Sequence, residues 1–160
     1  MSRPSWDEMF LGMAGLLAQR SVCLHYQVGA VIARGNRFLS GGYNGPPAGE
    51  VHCSEVGCAK EVDGKKLPPG SGKCRGAHAE LNAIANAARE GVKIEGAEIF
   101  VTYRPCYICA KTIINAGIKT VTYEKDYDGD FQVFDLFQRC RVTLRKLENT
   151  KLRILRGGVK

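Results

Sequence analysis

Two stretches carry most of the structural information in this sequence, HAELNAI at residues 78–84 and VTYRPCYIC at residues 101–109. Alanine and leucine in and after the first stretch predict a helix over residues 77–90, which Gly91 would end. In the second stretch, β-branched and aromatic residues precede a proline, which predicts a strand that leads directly into a helix. Such alternation of helices and strands is typical of an α/β domain.

The segments on either side extend this alternation. The predicted strands are residues 28–33, 37–43, 98–103, 118–123 and 141–147, and the predicted helices are residues 4–21, 77–90, 105–116 and 130–137. Gly35 and Asn36 supply the turn of a hairpin between the first two strands. Because the later strands are connected through helices, we expect a three-layer α/β/α sandwich with a central mixed five-stranded sheet, in a single domain over residues 1–160.

The first predicted helix should bury one face. Its apolar residues recur at helical spacing, and we therefore expect them in the core. They are Trp6, Met9, Phe10, Met13, Leu16 and Leu17.

The two quoted stretches also contain a potential zinc site. Cys106 and Cys109 are three residues apart at the start of a predicted helix, so their thiols point the same way and the helix N-terminus favours the thiolate form. His78 adds a third ligand, and the fourth tetrahedral position stays open for a water whose pKa zinc lowers towards about 7. Glu80 is a candidate catalytic proton shuttle. Alone, the cysteine pair would also fit half of a structural zinc site; the histidine and glutamate favour a catalytic one.

Four further cysteines are candidates for a second, structural zinc site: Cys23, Cys53, Cys58 and Cys74. Three of them lie in or at the end of residues 44–76, a segment rich in Gly, Pro and Lys that is too long for a structureless connection in a compact domain. A closed zinc site would hold this cysteine-rich insert, near residues 50–76. The alternative is a set of buried free thiols.

The other histidines and the last cysteine have simpler interpretations. His52 is adjacent to Cys53, and neighbouring residues rarely bind one metal ion, so His52 is a reserve ligand only. His25 is expected to be structural or exposed. Cys140, near the last predicted strand, is expected to be a core residue.

The net charge of +7 is confined to the C-terminal segment. Residues 139–160 hold eight Lys and Arg and one Glu, whereas acidic and basic residues balance over residues 1–138. We expect an ordered last strand with exposed cations there; the alternative is a site for an anionic partner. No run approaches roughly 18 consecutive apolar residues, and an Asp-Glu pair lies near the N-terminus, so we expect no membrane association and a cytoplasmic location.

Several blocks of the sequence, in the right order, resemble the deoxycytidylate deaminases within the cytidine deaminase superfamily. They are VGAVI at residues 28–32, GYNGPPAG at residues 42–49, HAELNAI at residues 78–84 and VTYRPCYIC at residues 101–109. The H-x-E…P-C-x-x-C arrangement is itself the signature of zinc nucleobase deaminases. The resemblance, over roughly residues 4–128, implies a cytidine deaminase-like fold. It also implies zinc-dependent hydrolysis of dCMP to dUMP and ammonia, which feeds thymidylate synthesis.

The resemblance implies the same zinc ligands and proton shuttle, and it adds contacts to a nucleotide. The backbone amide of Ala79 would contact the pyrimidine carbonyl, and Asn44 would contact the ribose. Arg89 and Tyr127 would lie on the nucleotide side and help to select a phosphorylated substrate. Arg89 lies about three helical turns after the histidine and could share the cleft side; the alternative is a solvated charge near a helix end.

The glycine-rich loop at residues 42–49 resembles the segment with which many members of that family bind an effector. The residues expected to take part are Gly42, Tyr43, Gly45 and Gly49. The resemblance implies activation by dCTP, with Mg²⁺ accompanying the triphosphate, inhibition by dTTP, and a homohexamer.

Other functions stay open at this point. The same zinc centre serves deaminases of other cytosine nucleotides and of nucleic acids; a nucleic-acid substrate requires a basic, aromatic groove, which the balanced charge of residues 1–138 argues against. A non-catalytic zinc-binding module that binds a partner through its basic tail is a further alternative. Such a module has no use for Glu80 beside an open metal position.

Overall fold

The computed structural model describes residues 3–68 and 70–148. In chain order, its elements are α1 Trp6–Ala18, β1 Gly29–Arg34, β2 Arg37–Tyr43, α2 Cys53–Val56, β3 Glu61–Val62, β4 Lys65–Lys66, α3 Ala79–Arg89, β5 Glu98–Tyr103, α4 Tyr107–Asn115, β6 Thr120–Lys125, α5 Gln132–Arg139 and β7 Thr143–Lys146. None of the described helices is both long enough and apolar enough to cross a lipid bilayer.

The main sheet has five strands in the order β2-β1-β5-β6-β7. β1 is antiparallel to both of its neighbours, with Ala30 opposite Val101 on β5. β5, β6 and β7 are parallel, with Ile99 opposite Val121. The helices α4 and α5 make the connections between these parallel strands. The predicted mixed sheet is confirmed.

Alternate residues of the central strands face two different cores. Ala30 and Ile32 of β1 pack in a cluster with α3, α4 and α5, whereas Val31 and Ala33 pack in a second cluster with α1. Because helices cover both faces, β1 and β5 are buried over almost their whole length. The predicted three-layer sandwich is confirmed, and it places α3 and α4 on the same face of the sheet.

Glycines at two positions let helices lie directly on the sheet. A Cβ atom at Gly29 of β1 would lie 1.9 Å from the carbonyl oxygen of Ala14 on α1. A Cβ atom at Gly42 of β2 would lie 2.5 Å from the backbone nitrogen of Ala83 on α3. Backbone atoms cannot rotate away as a side chain can, so any larger residue would push the helix off the sheet.

Gly29→Ala is expected to lower the free energy of unfolding by about 3 kcal/mol, the upper end of the usual cost of overpacking. The matched control is Gly15→Ala on α1, where a Cβ atom would have no heavy atom within 4 Å. It should raise the stability by about 0.5–1 kcal/mol, because alanine is the better helix former. Urea unfolding monitored by circular dichroism measures both, and equal stabilities would contradict this account of the β1–α1 contact.

Four residues predicted in the core are exposed. Trp6, Met9 and Leu16 have relative exposures of 47%, 37% and 44%. Helical spacing identifies apolar stripes but not which stripe meets the sheet: Phe10 faces the sheet, whereas Met9 and Leu16, seven residues apart, share a stripe turned away from it. Trp6, the first residue of α1, stacks on Phe10. Cys140 is exposed because it is the C-cap of α5 and precedes the last strand.

The irregular segment predicted at residues 44–76 is an insert that leaves and rejoins the fold at one point. Gly45 and Ala77 exchange two backbone hydrogen bonds, of 3.1 and 2.8 Å, that close its base. Within the insert lie the single turn α2 and the two-stranded hairpin of β3 and β4. Its side chains are mostly exposed, so it adds little to the main core.

The described part of the basic C-terminal segment contains the edge strand β7. Arg145 makes an ion pair with Glu98, and Lys146 makes one of 2.5 Å with Asp126. These cations therefore pair with acidic residues that lie earlier in the same chain. This favours the interpretation of the described part of the segment as an ordered strand. Residues 149–160 of the segment lie outside the described residues.

Candidate active site

The three predicted metal ligands come together where α3 and α4 begin. His78 is the N-cap of α3, Cys106 is the N-cap of α4, and Cys109 lies in the first turn of α4. His78 Nδ1 lies 3.4 Å from Cys106 Sγ and 3.2 Å from Cys109 Sγ. Usual Zn–N and Zn–S bond lengths in a tetrahedron put such atoms about 3.6 Å apart, so the donor set and its spacing fit zinc.

The two thiols have pKa values that are shifted in opposite directions in the protein without a metal ion. The hydrogen bond from Cys109 lowers the pKa of Cys106 to about 4. The same hydrogen bond, together with burial, raises the pKa of Cys109 far above that of a free thiol. The protein alone therefore accommodates one thiolate here, and a divalent cation would supply the charge that a second one needs.

Glu80 lies beside these ligands in the first turn of α3 and is only 4% exposed. Burial raises the pKa of its carboxyl group. Glu80 lines the same pocket as His78 and Cys106 but does not belong to the ligand group that they form with Cys109. A carboxyl group with a raised pKa is suited to take up and release protons near neutral pH.

The pocket in front of these residues has a volume of about 1050 Å³, its open mouth included. One wall is aromatic: the ring of Tyr26 makes edge contacts with Tyr103 and Tyr127, each with centroids 5.8 Å apart. The insert contributes further lining residues, including Cys58, Lys60, Lys66, Cys74 and Arg75. A pocket of this size, with few polar groups converging on a metal site, suits a small polar ligand.

Asn44 and Tyr127, two of the predicted nucleotide contacts, line this pocket. The Asn44 side chain also holds the pocket wall, since its Oδ1 accepts a hydrogen bond from the Val28 amide and its Nδ2 donates one to the Tyr26 carbonyl, both 2.8 Å long. Each of these Asn44 atoms retains one further hydrogen-bonding position. Ala79 lies buried at the start of α3, also on the pocket.

Arg89 lies apart from the pocket. It is in the last turn of α3, about 16 Å along the helix axis from His78. Its side chain is 74% exposed and pairs with Glu90 at 3.1 Å. The prediction that Arg89 shares the cleft does not hold within a single chain, because the length of α3 separates the two ends.

The four cysteines predicted as a second zinc site all line the pocket, but the structure does not gather them as one ligand set. Apart from the site described above, the described residues bring together one group of three potential ligands, His25, Cys58 and Glu61. His25 Nε2 lies 2.9 Å from Glu61 Oε1. His52, the reserve ligand, lies 3.7 Å from Glu55.

The residues predicted to bind an effector have structural partners. Gly42 is required by the contact between β2 and α3, and Gly45 pairs with Ala77 at the base of the insert. The Tyr43 carbonyl accepts a hydrogen bond of 2.8 Å from Asn82 Nδ2. Gly49 is exposed with a φ of 92°, a conformation that glycine adopts readily.

Sequence reasoning missed the aromatic wall and a buried arginine behind it. Tyr26 and Tyr103 line the pocket, and so does Arg104, which is 3% exposed. The position of Arg104, immediately before Pro105 and Cys106 of the metal motif, was the one available signal. Partners 22 to 26 residues further along the chain could not be inferred from spacing alone.

A mixed sheet between helical layers, with metal ligands at the N-termini of two helices on one face, is the cytidine deaminase-like architecture. The fold and the site together place the chain in the class of deaminase enzymes. A family model described as the cytidine and deoxycytidylate deaminase zinc-binding region matches residues 4–125, and the chain belongs to this family.

Individual relatives agree with this assignment. ComE operon protein 2 of Bacillus subtilis is 44% identical over 149 residues, which cover 92% of this chain and 74% of that protein. The deoxycytidylate deaminase of Mycobacterium phage D29 is 42% identical over 131 residues, which cover 79% of this chain and 99% of the phage protein. The crystal structure of dCMP deaminase from cyanophage S-TIM5 in complex with dCMP and dUMP has a TM-score of 0.75 at 31% identity and covers 92% of this chain and 100% of that one.

Proposed function

We propose that this protein is a zinc-dependent hydrolase that converts dCMP and water to dUMP and ammonia. In this proposal the reaction feeds thymidylate synthesis and takes place in the cytoplasm. The observation that carries the proposal is the buried carboxyl group of Glu80 beside His78, Cys106 and Cys109, on an open pocket with an aromatic wall. The relatives support the choice of substrate, since one is named a deoxycytidylate deaminase and another was crystallised with dCMP and dUMP.

The proposed chemistry divides between a metal ion and one carboxylate. A zinc ion held by His78, Cys106 and Cys109 would supply an activated water as the nucleophile. Glu80 accepts the proton of the attacking water and delivers a proton to the ring nitrogen. Glu80 then takes the remaining proton from the oxygen that has added to the ring and passes it to the amino group. The bond between the ring carbon and the amino nitrogen breaks, ammonia leaves, and the oxygen stays as the carbonyl oxygen of dUMP. Ammonia release from dCMP by the purified protein tests the reaction.

Backbone and side-chain groups around the pocket position the substrate in this proposal. The amide of Ala79, at the N-terminus of α3, has no partner within the helix and can donate to the pyrimidine carbonyl. Asn44 has hydrogen-bonding positions left for the ribose. Tyr127 borders the nucleotide as part of the aromatic wall.

Lys60 and Lys66 are the cations that we propose for the 5′-phosphate. Both line the pocket, and neither ammonium group has an ion pair or side-chain hydrogen bond recorded among the described residues. Arg75 lines the same pocket but donates to the carbonyl of Gly57 at 2.8 Å. Arg89, for which the family resemblance implies this role, is too far along α3 to take it within one chain.

Replacing both Lys60 and Lys66 with alanine is expected to lower kcat/KM for dCMP by about 10- to 100-fold and to change that for deoxycytidine by less than about twofold, because only dCMP carries the phosphate. Arg89→Ala is the matched control for the loss of a cation and should affect neither substrate. Steady-state kinetics on both substrates measures the effect. A dCMP-selective loss in Arg89→Ala, with none in the lysine variant, would return the phosphate role to Arg89.

Regulation and assembly are proposed from the family resemblance. We propose activation by dCTP with Mg²⁺, inhibition by dTTP, and a homohexamer. The loop at residues 42–49 remains the proposed effector site, and its Gly49 is exposed and free of the close packing that occupies Gly42.

The insert is also proposed to bind a second, structural zinc ion. Its side chains contribute little to the main core, so a metal ion would add the stability that burial does not. Two ligand sets are available: the four cysteines predicted from the sequence, after a rearrangement, or His25, Cys58 and Glu61 as they stand. Cys58 belongs to both sets.

Wild-type protein is expected to contain about two zinc ions per chain and Cys58→Ser about one, because serine is a poor zinc ligand. Cys74→Ser distinguishes the two sets: it should also lose one zinc ion if the four cysteines bind it, and none if His25, Cys58 and Glu61 do. Elemental analysis of dialysed protein gives the numbers. A wild-type content of one zinc ion per chain would remove the second site.

A further inference from the structure

Arg104 is an almost fully buried arginine, and its guanidinium group donates hydrogen bonds to one loop. Nη2 donates to the carbonyls of Tyr127 and Gly129, the second at 2.8 Å, and Nη1 donates to the carbonyl of Asp130 at 3.2 Å. Three backbone acceptors on one side chain leave little freedom to the chain that carries them, which is the loop at residues 126–131.

The charge of Arg104 is not balanced by a close ion pair. Among the described residues, the acid within 4 Å of the guanidinium group is Asp126, whose Oδ1 lies 3.9 Å from Nε, and Asp126 already pairs with Lys146 at 2.5 Å. The guanidinium group lies over the ring of Phe134, 4.8 Å from its centroid, and Nε has no hydrogen-bond partner within the described structure. Burying a cation costs free energy, which the hydrogen bonds to the three backbone carbonyls must offset.

The loop itself is shaped to meet the guanidinium group. Gly129 and Asp130 adopt consecutive positive φ angles of 86° and 51°, which is uncommon for a residue other than glycine. Asp130 Oδ2 also accepts a hydrogen bond of 3.3 Å from the amide of Tyr107. Residues on both sides of Cys106, Arg104 before it and Tyr107 after it, therefore hold the same loop.

This loop carries Tyr127 to the pocket. Tyr127 lines the pocket and packs against Tyr26, and its own carbonyl is one of the three acceptors. We propose that Arg104 is a positioning residue that fixes the loop at residues 126–131, and through it Tyr127, against the nucleotide, so that substrate affinity depends on a buried guanidinium group. The part that concerns the nucleotide rests on the function proposed above.

A kinetic double-mutant cycle tests whether Arg104 acts through Tyr127. Arg104→Gln is expected to raise KM for dCMP by about tenfold and to change kcat by less than about threefold, because the metal ligands are untouched. Arg104→Lys should show a smaller rise, since an ammonium group donates without the planar fork. Adding Arg104→Gln to Tyr127→Ala should leave KM close to that of Tyr127→Ala alone, because the arginine would have nothing left to position.

The outcomes of the cycle are distinct. Effects on KM that multiply in the double variant, or a fall in kcat with KM unchanged, would overturn the positioning role. Arg139→Gln, an exposed arginine at the end of α5, is the matched control and should leave both constants unchanged.

A second measurement does not depend on activity. Lys125 ends β6 immediately before the loop and is exposed, so trypsin can cut there when the loop is released. Arg104→Gln should be cut after Lys125 about tenfold faster than wild type, and Arg139→Gln at the wild-type rate. An unchanged rate in folded Arg104→Gln would overturn the proposal. If wild type fails to deaminate dCMP, the proposed function falls, while this assay still decides whether Arg104 holds the loop.

If Arg104→Gln does not fold, the proposal can be tested with a variant in the loop whose carbonyls accept the hydrogen bonds of Arg104. Gly129→Ala disturbs the turn that presents the carbonyls, because alanine is strained at a φ of 86°, and it leaves the buried arginine in place. It should be cut faster after Lys125 and show a raised KM for dCMP. Wild-type behaviour in both assays would contradict the proposal.

Discussion

Glu80→Gln is expected to lower kcat for dCMP deamination by about 10³-fold or more, close to complete loss. The carboxyl group is proposed to move protons in two steps, and each general acid–base contribution is typically worth about 10²- to 10⁴-fold. An amide of the same size cannot take up a proton near neutral pH. The zinc content should stay the same, because Glu80 is outside the group of metal ligands.

The stability of this variant gives a second expectation. Because burial raises the pKa of Glu80, keeping the carboxyl group ionised at neutral pH costs free energy. Glutamine removes that cost, so the melting temperature of Glu80→Gln should equal or exceed that of wild type. Glu90→Gln, on the exposed end of the same helix, is the control and should keep full activity. Wild-type deamination by Glu80→Gln would contradict the proton-shuttle role of Glu80, whereas deamination by neither wild type nor variant would favour a non-catalytic zinc-binding module.

Cys109→Ser is expected to remove one zinc ion per chain and to reduce deamination to background. Cys109 is fully buried, and its Sγ lies 3.2 Å from His78 Nδ1, within the group that would hold the zinc ion. A serine hydroxyl group does not ionise at neutral pH and binds zinc far more weakly than a thiolate. Elemental analysis and steady-state kinetics measure these two consequences.

The matched control is Cys140→Ser, the same substitution at an exposed position on α5. It should leave zinc content, activity and melting temperature unchanged. Full zinc content in Cys109→Ser, measured after dialysis against a weak chelator, would show that Cys109 is not a ligand.

Much of the fold could be predicted because local signals agree with the tertiary structure. The strand at residues 98–103 was placed without error, since β-branched residues precede a proline there and the strand is buried on both faces. Glycines marked the ends of α3 and α4, where Gly91 and Gly117 adopt positive φ angles. Such signals depend on residues that are close together in the chain, so they can be recognised from the sequence alone.

The errors concern contacts between distant parts of the chain. Met9 and Leu16 have the same spacing as buried residues, and only the sheet decides which side of α1 is covered. Arg89, which the family resemblance places on the nucleotide side, lies about three turns along α3 from the pocket of its own chain and pairs with Glu90. The three carbonyl partners of Arg104 come from a loop whose shape depends on Gly129 and Asp130.

The candidate site also has a part that local sequence signals predict and a part that depends on contacts between distant residues. The spacing of Cys106 and Cys109 and their place at a helix start predicted that their thiols lie together, because both follow from local geometry, and the structure brings them together with His78. The insert follows no regular spacing, so the meeting of His25 with Cys58 and Glu61 could not be foreseen. The contacts within the insert depend on how a long loop folds back on itself.

The most direct test of the proposed function is ammonia release by purified, zinc-loaded protein given dCMP, dCTP, deoxycytidine and single-stranded DNA in parallel, with and without added dCTP and Mg²⁺. We expect turnover of dCMP above that of the other three, increased by dCTP with Mg²⁺ if the loop at residues 42–49 binds the effector. Activity on DNA alone, or on none of the four, would contradict the proposal that this protein deaminates a free nucleotide.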